Sequence, residues 1–258
     1  MNTATTLTLP THKDLPDTDG LPMENAIQVL QIALLSEVLY PVLAAVHSDG
    51  RFFIGRDVGI YYRHTDPPLD GCKAPDWFYV AGVDPLLDGE YRRSYVLWHE
   101  RTVPTLLVEF AADGGDVERD ATPLRGKFWV YEQMISAPYY AIFDVDAEGL
   151  EVFELVADRY RPVAANERGR FPIPPMGVEL GVWHGTYQNY TLPWLRAYRP
   201  DGTLVPTPGE AAEQERQRAE QERRAREAEQ QAKAVAQQEV ARLAAKLREL
   251  GVDPEQLK

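Results

Sequence analysis

The sequence predicts an α/β domain built on a mixed sheet and followed by a long helical tail. Three observations carry that prediction. Apolar residues recur at helical spacing near the start, at Ile27, Leu30, Leu34 and Val38. Three apolar runs, at 76–80, 106–111 and 139–145, read as strands, the first two nearly continuous and so buried on both faces. From residue 209 the composition turns abruptly to Ala, Glu, Gln and Arg, which suits a solvated helix or a coiled coil.

Taken in order, residues 1–20 are polar and Pro-containing and read as an arm or loop. A helix is expected from Glu24 to about residue 39, ended or kinked at Pro41. Short strands follow at 51–55 and 58–62, rich in aromatic and β-branched residues. Pro67, Pro68 and Gly71 mark a loop. Strands over 76–80 and 106–111 come next, with a surface excursion at 84–93 and a short strand or irregular piece at 95–98. Thr122 and Pro123 fit a helix cap and first position. The expected helix, 123–135, aligns Leu124, Phe128, Tyr131 and Ile135, with Lys127 beside that stripe. The strand at 139–145 turns through residues 147–149 into a hairpin partner at 150–156. The Pro- and Gly-rich stretch 160–200 reads as turns and edge segments on the same core. In the tail, Val240, Leu243, Leu247 and Leu250 are spaced like a coiled-coil seam, and Gly251 fits a helix cap. The domain reading is an arm at 1–20, a body at 21–200 and a helical tail at 209–250.

Composition narrows the function. At 258 residues there is room for one sizeable domain and an appendage. No apolar run is read as a membrane span, and no cationic segment precedes an apolar one at the start. Cys72 is the only cysteine, which excludes an internal disulfide and a cysteine zinc cluster and fits a cytoplasmic protein. The net charge is −13. Residues 210–258 hold eleven acids and ten bases, so nearly all of the excess lies on the body. That balance argues against tight nonspecific nucleic-acid binding over the whole surface, while a local basic groove stays compatible with it. The five histidines lack zinc-site spacing, no phosphate-cradling glycine loop is present, and the tryptophans read as core.

Two acids stand out. Asp76 opens one apolar run and Glu109 lies within another, where an unpartnered carboxylate is costly. One acid on each of two strands, with a lysine on a following helix, can hold a divalent cation and orient a water for phosphodiester hydrolysis. Blander readings stand beside this one. Asp76 also fits a turn, Glu109 a structural ion pair, and Lys127 a lysine snorkelling from its helix. Glu24 also fits a first-turn helix acid, and Asp120 a solvated loop acid.

At these residues the chain resembles the Uma2 family of restriction-type endonucleases, which have the PD-(D/E)XK fold. The matching pieces are Asp19-Gly20-Leu21-Pro22-Met23-Glu24, Pro75-Asp76, Leu107-Val108-Glu109-Phe110, Lys127 with Tyr131, and Tyr139-Tyr140-Ala141-Ile142-Phe143-Asp144. The resemblance implies a restriction-endonuclease-like mixed sheet flanked by helices. It implies Asp76 and Glu109 as ligands of Mg²⁺ (or Mn²⁺), Lys127 as the catalytic lysine, and Glu24, Asp120 and Tyr131 as auxiliary residues. DNA is the implied substrate. Ala111 stands two residues after Glu109, where a strand lysine is usual, and the Asp120-to-Lys127 spacing is longer than the common pattern. The alternative is a catalytically degenerate nuclease fold that serves as a scaffold. In either case the tail would pair with a second copy or with a partner helix.

Overall fold

The computed structural model describes residues 9–20, 26–111 and 114–251. The chain divides into two compact units, Met1–Val205 and Pro206–Lys258.

The first unit is organised by a six-stranded mixed sheet. Its strands are β1 (Phe52–Arg56), β4 (Trp77–Ala81), β6 (Leu106–Ala111), β7 (Tyr139–Asp144), β8 (Gly149–Val156) and β9 (Arg159–Pro162), adjacent in that order. β6 and β7 run parallel, and the other neighbours are antiparallel. Two small strands, β2 (Ile60–Tyr61) and β3 (Cys72–Lys73), pair with β5 (Tyr95–Val96) in a second sheet ordered β3-β2-β5. The helical turn α2 (Leu97–Glu100) follows directly.

Strand alternation sorts the core into two layers. Trp77, Tyr79, Leu106, Val108, Phe110, Ala141 and Phe143 face one layer. Phe78, Val80, Leu107, Ala111, Tyr140 and Ile142 face the other. The first layer is closed by α1 (Ala26–Val46), which contributes Leu34, Leu35, Val38, Leu39 and Leu43, all inaccessible to solvent. Ser36 ties α1 to the sheet. Its Oγ accepts from Trp77 Nε1 at 3.1 Å and from Arg56 Nε at 2.7 Å.

Three expectations need correction. Pro41 lies inside α1 rather than ending it. It sits on the exposed side of the helix, where the carbonyl it leaves unbonded is open to water. The same helix is, by length and composition, apolar enough to cross a bilayer, which the sequence reading did not anticipate. Its face is buried in this protein's core, and its glutamines bond to neighbouring chain: Gln31 donates to Pro193 O at 3.3 Å and accepts from Leu195 N at 3.2 Å. Finally, residues 171–198 are not edge pieces. β10 (Phe171–Ile173), β11 (Val178–Tyr187) and β12 (Tyr190–Tyr198) make a separate antiparallel sheet. Its long hairpin turns at Gln188 and Asn189, both at positive φ, as a two-residue turn between twisted strands requires.

The 123–135 helix is also shorter than expected. α3 covers Lys127–Val130 and passes into a single π-helical turn at Tyr131–Ile135. Leu124 is half-exposed at φ +67°, so it leaves the stripe. Gly126 sets the start of α3. A Cβ there would lie 2.0 Å from the Asp120 carbonyl oxygen, which instead accepts from Phe128 N at 3.1 Å. The residues 9–20 pack on the body. Leu15 is buried, and Pro10 and Pro16 carbonyls accept from Trp98 Nε1 and Tyr61 OH at 3.0 Å each.

The second unit is α4 (Pro208–Glu249), begun by a capping box between Thr207 and Glu210. Its exposed surface is laced with ion pairs at helical spacing, such as Glu220 with Arg224 and Glu229 with Lys233. Val240, Leu243 and Leu250 lie exposed.

Candidate active site

The site forms where β4 begins and β6 ends. The ladder pairs Trp77 with Val108, and one further step sets Asp76 across from Glu109. Both share the parity of Phe78 and Leu107, so both belong to the sheet face covered by α3.

Each carboxyl is held by the protein. Asp76 Oδ2 accepts from Phe110 N at 2.6 Å, and Gln28 Nε2 lies 3.0 Å from both Asp76 oxygens. Glu109 is fully buried. Its Oε2 accepts from Lys127 Nζ at 3.1 Å and its Oε1 from Tyr131 OH at 2.5 Å. Lys127 Nζ also reaches Glu118 Oε1 at 3.2 Å. The Asp76 and Glu109 carboxyls lie within electrostatic reach of each other. One ammonium thus stands among three buried carboxyls.

The electrostatics follow from that crowding. Burial pushes the Glu109 carboxyl up to about 8; Lys127 pulls it down and Asp76 pushes it further up. Burial raises Asp76 too, against the opposing Phe110 N–H. Burial works against the Lys127 ammonium, yet Glu109, Glu118 and Asp76 together hold its pKa above the ordinary lysine value. Asp57 is raised as well, by burial and then by Asp19 and Glu109. Two neighbouring buried carboxyls offer the oxygen ligands that a hard divalent cation takes, its remaining positions being filled by water. Among the described residues no group of three or more His, Cys, Asp or Glu is arranged to hold a metal. An ion here would have two protein carboxylates as ligands.

A cavity of about 200 Å³ is lined by Gln28 and Phe110, which bond Asp76, and by Ala111 and Asp146 among others, but not by Asp76 or Glu109 themselves. It opens beyond the C-terminal ends of the parallel strands β6 and β7, the place where open α/β sheets commonly bind ligands.

Residues 21–193 match the model of the Uma2 family, described as a putative restriction endonuclease. This chain belongs to the Uma2 family. No curated protein matches it. The matched stretch contains every residue of the cluster, from Gln28 to Tyr131, and stops short of α4. Family membership supports a nuclease role and DNA as the substrate class.

Of the residues singled out in this Uma2 chain, the structure gathers Asp76, Glu109, Lys127 and Tyr131. It does not bring the Asp120 carboxylate to them. That group accepts from Thr122 N at 2.8 Å, and its two bonds to Thr122 hold its pKa down. Glu24 lies outside the described residues. Sequence reasoning missed Gln28, Asp57 and Glu118. Glu118 has Asp116 and Asp120 as near neighbours in sequence, and the turn in which Arg119 N donates to Gly115 O at 3.2 Å accompanies its burial. Asp57 occupies a positive-φ turn and donates its backbone N–H to Asp76 O at 3.1 Å. Gln28 had one readable signal, a polar residue next to the apolar stripe of α1.

Proposed function

We propose that this Uma2 protein is an Mg²⁺-dependent endonuclease that hydrolyses DNA phosphodiester bonds, with Mn²⁺ able to serve in its place. The observation that carries the reading is the Asp76–Glu109 pair, buried across two adjacent strands with an ammonium 3.1 Å from one of them. In this reading Asp76 and Glu109 hold the ion. When bound, it neutralises the scissile phosphate and acidifies a water. Lys127 orients the attacking water and stabilises charge building on the phosphate oxygens. Tyr131 and Gln28 position the two carboxylates, and Glu118 keeps the ammonium charged. Residues 21–200 would be the nuclease domain, 1–20 its N-terminal arm and 209–250 a tail. The exposed Val240, Leu243 and Leu250 support pairing of that tail with a second copy or a partner helix. The single cysteine, Cys72, supports a cytoplasmic setting.

The test is nicking of supercoiled plasmid with Mg²⁺ or Mn²⁺. Asp76→Ala and Glu109→Ala are expected to lose at least about 100-fold in rate, a few kcal/mol of transition-state stabilisation. Equal nicking by wild type and both variants would remove the assignment.

A second reading has one observation in its favour. All four oxygens of Asp76 and Glu109 already accept from protein donors, as they would in a fold kept for binding rather than chemistry. Calorimetry separates the two readings, because a scaffold shows no Mg²⁺ heat that depends on Asp76.

A further inference from the structure

A second concavity, of about 470 Å³, lies apart from the acid cluster and is cationic. Arg63, Lys73 and Arg125 line it, together with Asp70 and the exposed Leu69 and Leu124. The fold builds it from two places. β2 and β3 pair Ile60 with Lys73, and the excursion between them returns at Gly71. There the chain closes so tightly that a Cβ would lie 1.9 Å from Arg63 O. Tyr62 N and Arg63 N both donate to Gly71 O, at 3.0 and 3.4 Å. Arg125 comes from the turn that leads into α3, closed by Gly126 N donating to Thr122 O at 2.9 Å. Arg125 stands two residues before Lys127, and Lys73 lies within electrostatic reach of Asp120.

Many arginines of the body are neutralised within the chain, though Arg56 and Arg170 bond to neutral acceptors instead. Arg51, Arg92, Arg93, Arg119, Arg159 and Arg168 each pair with a carboxylate. Among the described residues Arg63, Lys73 and Arg125 pair with none. Arg63 donates through Nη2 only to the Asp70 carbonyl, at 3.2 Å. Its Nε is shielded from solvent and has no acceptor, which is costly for a charged group. Three cations gathered without a close ion pair in a chain of net charge −13, one with an orphaned donor, suit an anion from outside the chain.

We propose that this pocket seats a backbone phosphate of duplex DNA flanking the scissile one. Arg63, Lys73 and Arg125 supply the countercharge, and the adjoining turn sets the register of Lys127 against the strand. The choice of DNA rests on the endonuclease reading above. Phosphate contacts of this kind fix position without reading sequence. Confined to one pocket, they reconcile DNA binding with an acidic body.

The test measures binding alone. Full-length protein in EDTA is titrated into a labelled duplex oligonucleotide between about 50 and 200 mM salt, the range over which phosphate binding shows its salt dependence. The Arg63→Gln/Lys73→Gln/Arg125→Gln variant is expected to bind at least about tenfold more weakly. Its salt slope should be shallower by about 1, for the one phosphate that is no longer neutralised. Asp70→Asn, which removes the one acid facing the pocket, is expected to tighten binding; it keeps the question answerable if the triple variant fails to fold. The proposal is overturned if the triple variant binds like wild type, if Asp70→Asn leaves affinity unchanged or weaker, or if wild type binds no duplex. It is also overturned if the triple variant loses inorganic phosphate while keeping its DNA isotherm, which would mark a small-anion site. Because no cleavage is read, a failure here leaves the plasmid-nicking result on Asp76 and Glu109 to stand or fall separately.

Discussion

Lys127→Met is expected to lower the unfolding free energy by about 3–5 kcal/mol in the presence of a chelator, the usual cost of stranding buried charges. The lysine lies between Glu109 and Glu118, whose side chains are almost wholly buried. Methionine fills similar volume, so the loss reports the charge rather than a cavity. The cost should depend on pH, and the sign can be worked out. The folded Glu109 carboxyl sits above its ordinary value. Below that ordinary value the group is protonated in folded and unfolded chains alike, and the missing ammonium matters least. As pH rises, the unfolded chain ionises freely while the folded chain must either keep the proton or bury an unpaired charge. Wild-type Glu109 itself keeps its proton up to about 8, so both proteins lose this stability together below that pH. The variant falls further behind above about pH 8, where only wild type has the ammonium to offset the ionised carboxylate. Urea midpoints at several pH values measure this. Glu109→Gln added to Lys127→Met should restore part of the loss, with a coupling of about 1 kcal/mol or more. A single-variant loss of under about 1 kcal/mol above about pH 8 would show that the ammonium does not hold this cluster together.

Trp77→Ala is expected to cost about 3–5 kcal/mol, as other large-to-small core changes do. Trp77 is fully buried. It packs with α1 in the first core layer, and its Nε1 bonds Ser36. Its removal empties the joint between α1 and the sheet next to Asp76. The same variant should therefore lose nicking activity beyond what stability explains, under conditions where it is still folded. Trp77→Phe keeps most of the volume and loses the Ser36 bond. It should cost about 1 kcal/mol, the net worth of one hydrogen bond. Urea unfolding gives both numbers. A loss for Trp77→Ala no larger than that for Trp77→Phe would mean that the joint collapses without consequence.

Much of this molecule was legible from particular residues. The apolar runs holding Trp77, Leu107 and Tyr140 could only be buried strands, and they are the central strands of the sheet. Glu109 announced itself because a carboxylate amid Leu107, Val108 and Phe110 needs a partner, and it has two. Other features depended on contacts between distant parts of the chain. The Pro- and Gly-rich stretch 160–200 reads as turns and edge segments, yet Pro172 and Gly181 lie in paired strands, where neighbouring residues supply the remaining ladder bonds. Only Asp120 reads as a loop acid, while Glu118, close to it in sequence, is the one that turns inward. Which of three acids in one loop turns inward depends on where Lys127 stands, and that depends on Gly126 admitting the Asp120 carbonyl.

By itself, then, the order of residues determined what must be buried: the strand interiors, the apolar stripe of α1, and an acid among them that could not stay alone. Burial is a property each side chain brings to any fold, so it can be read locally. Tertiary structure alone decided which acids meet. Asp76 faces Glu109 because of strand register, and Glu118 displaces Asp120 because of one tight backbone approach. Those are distances between segments, and no single segment encodes them.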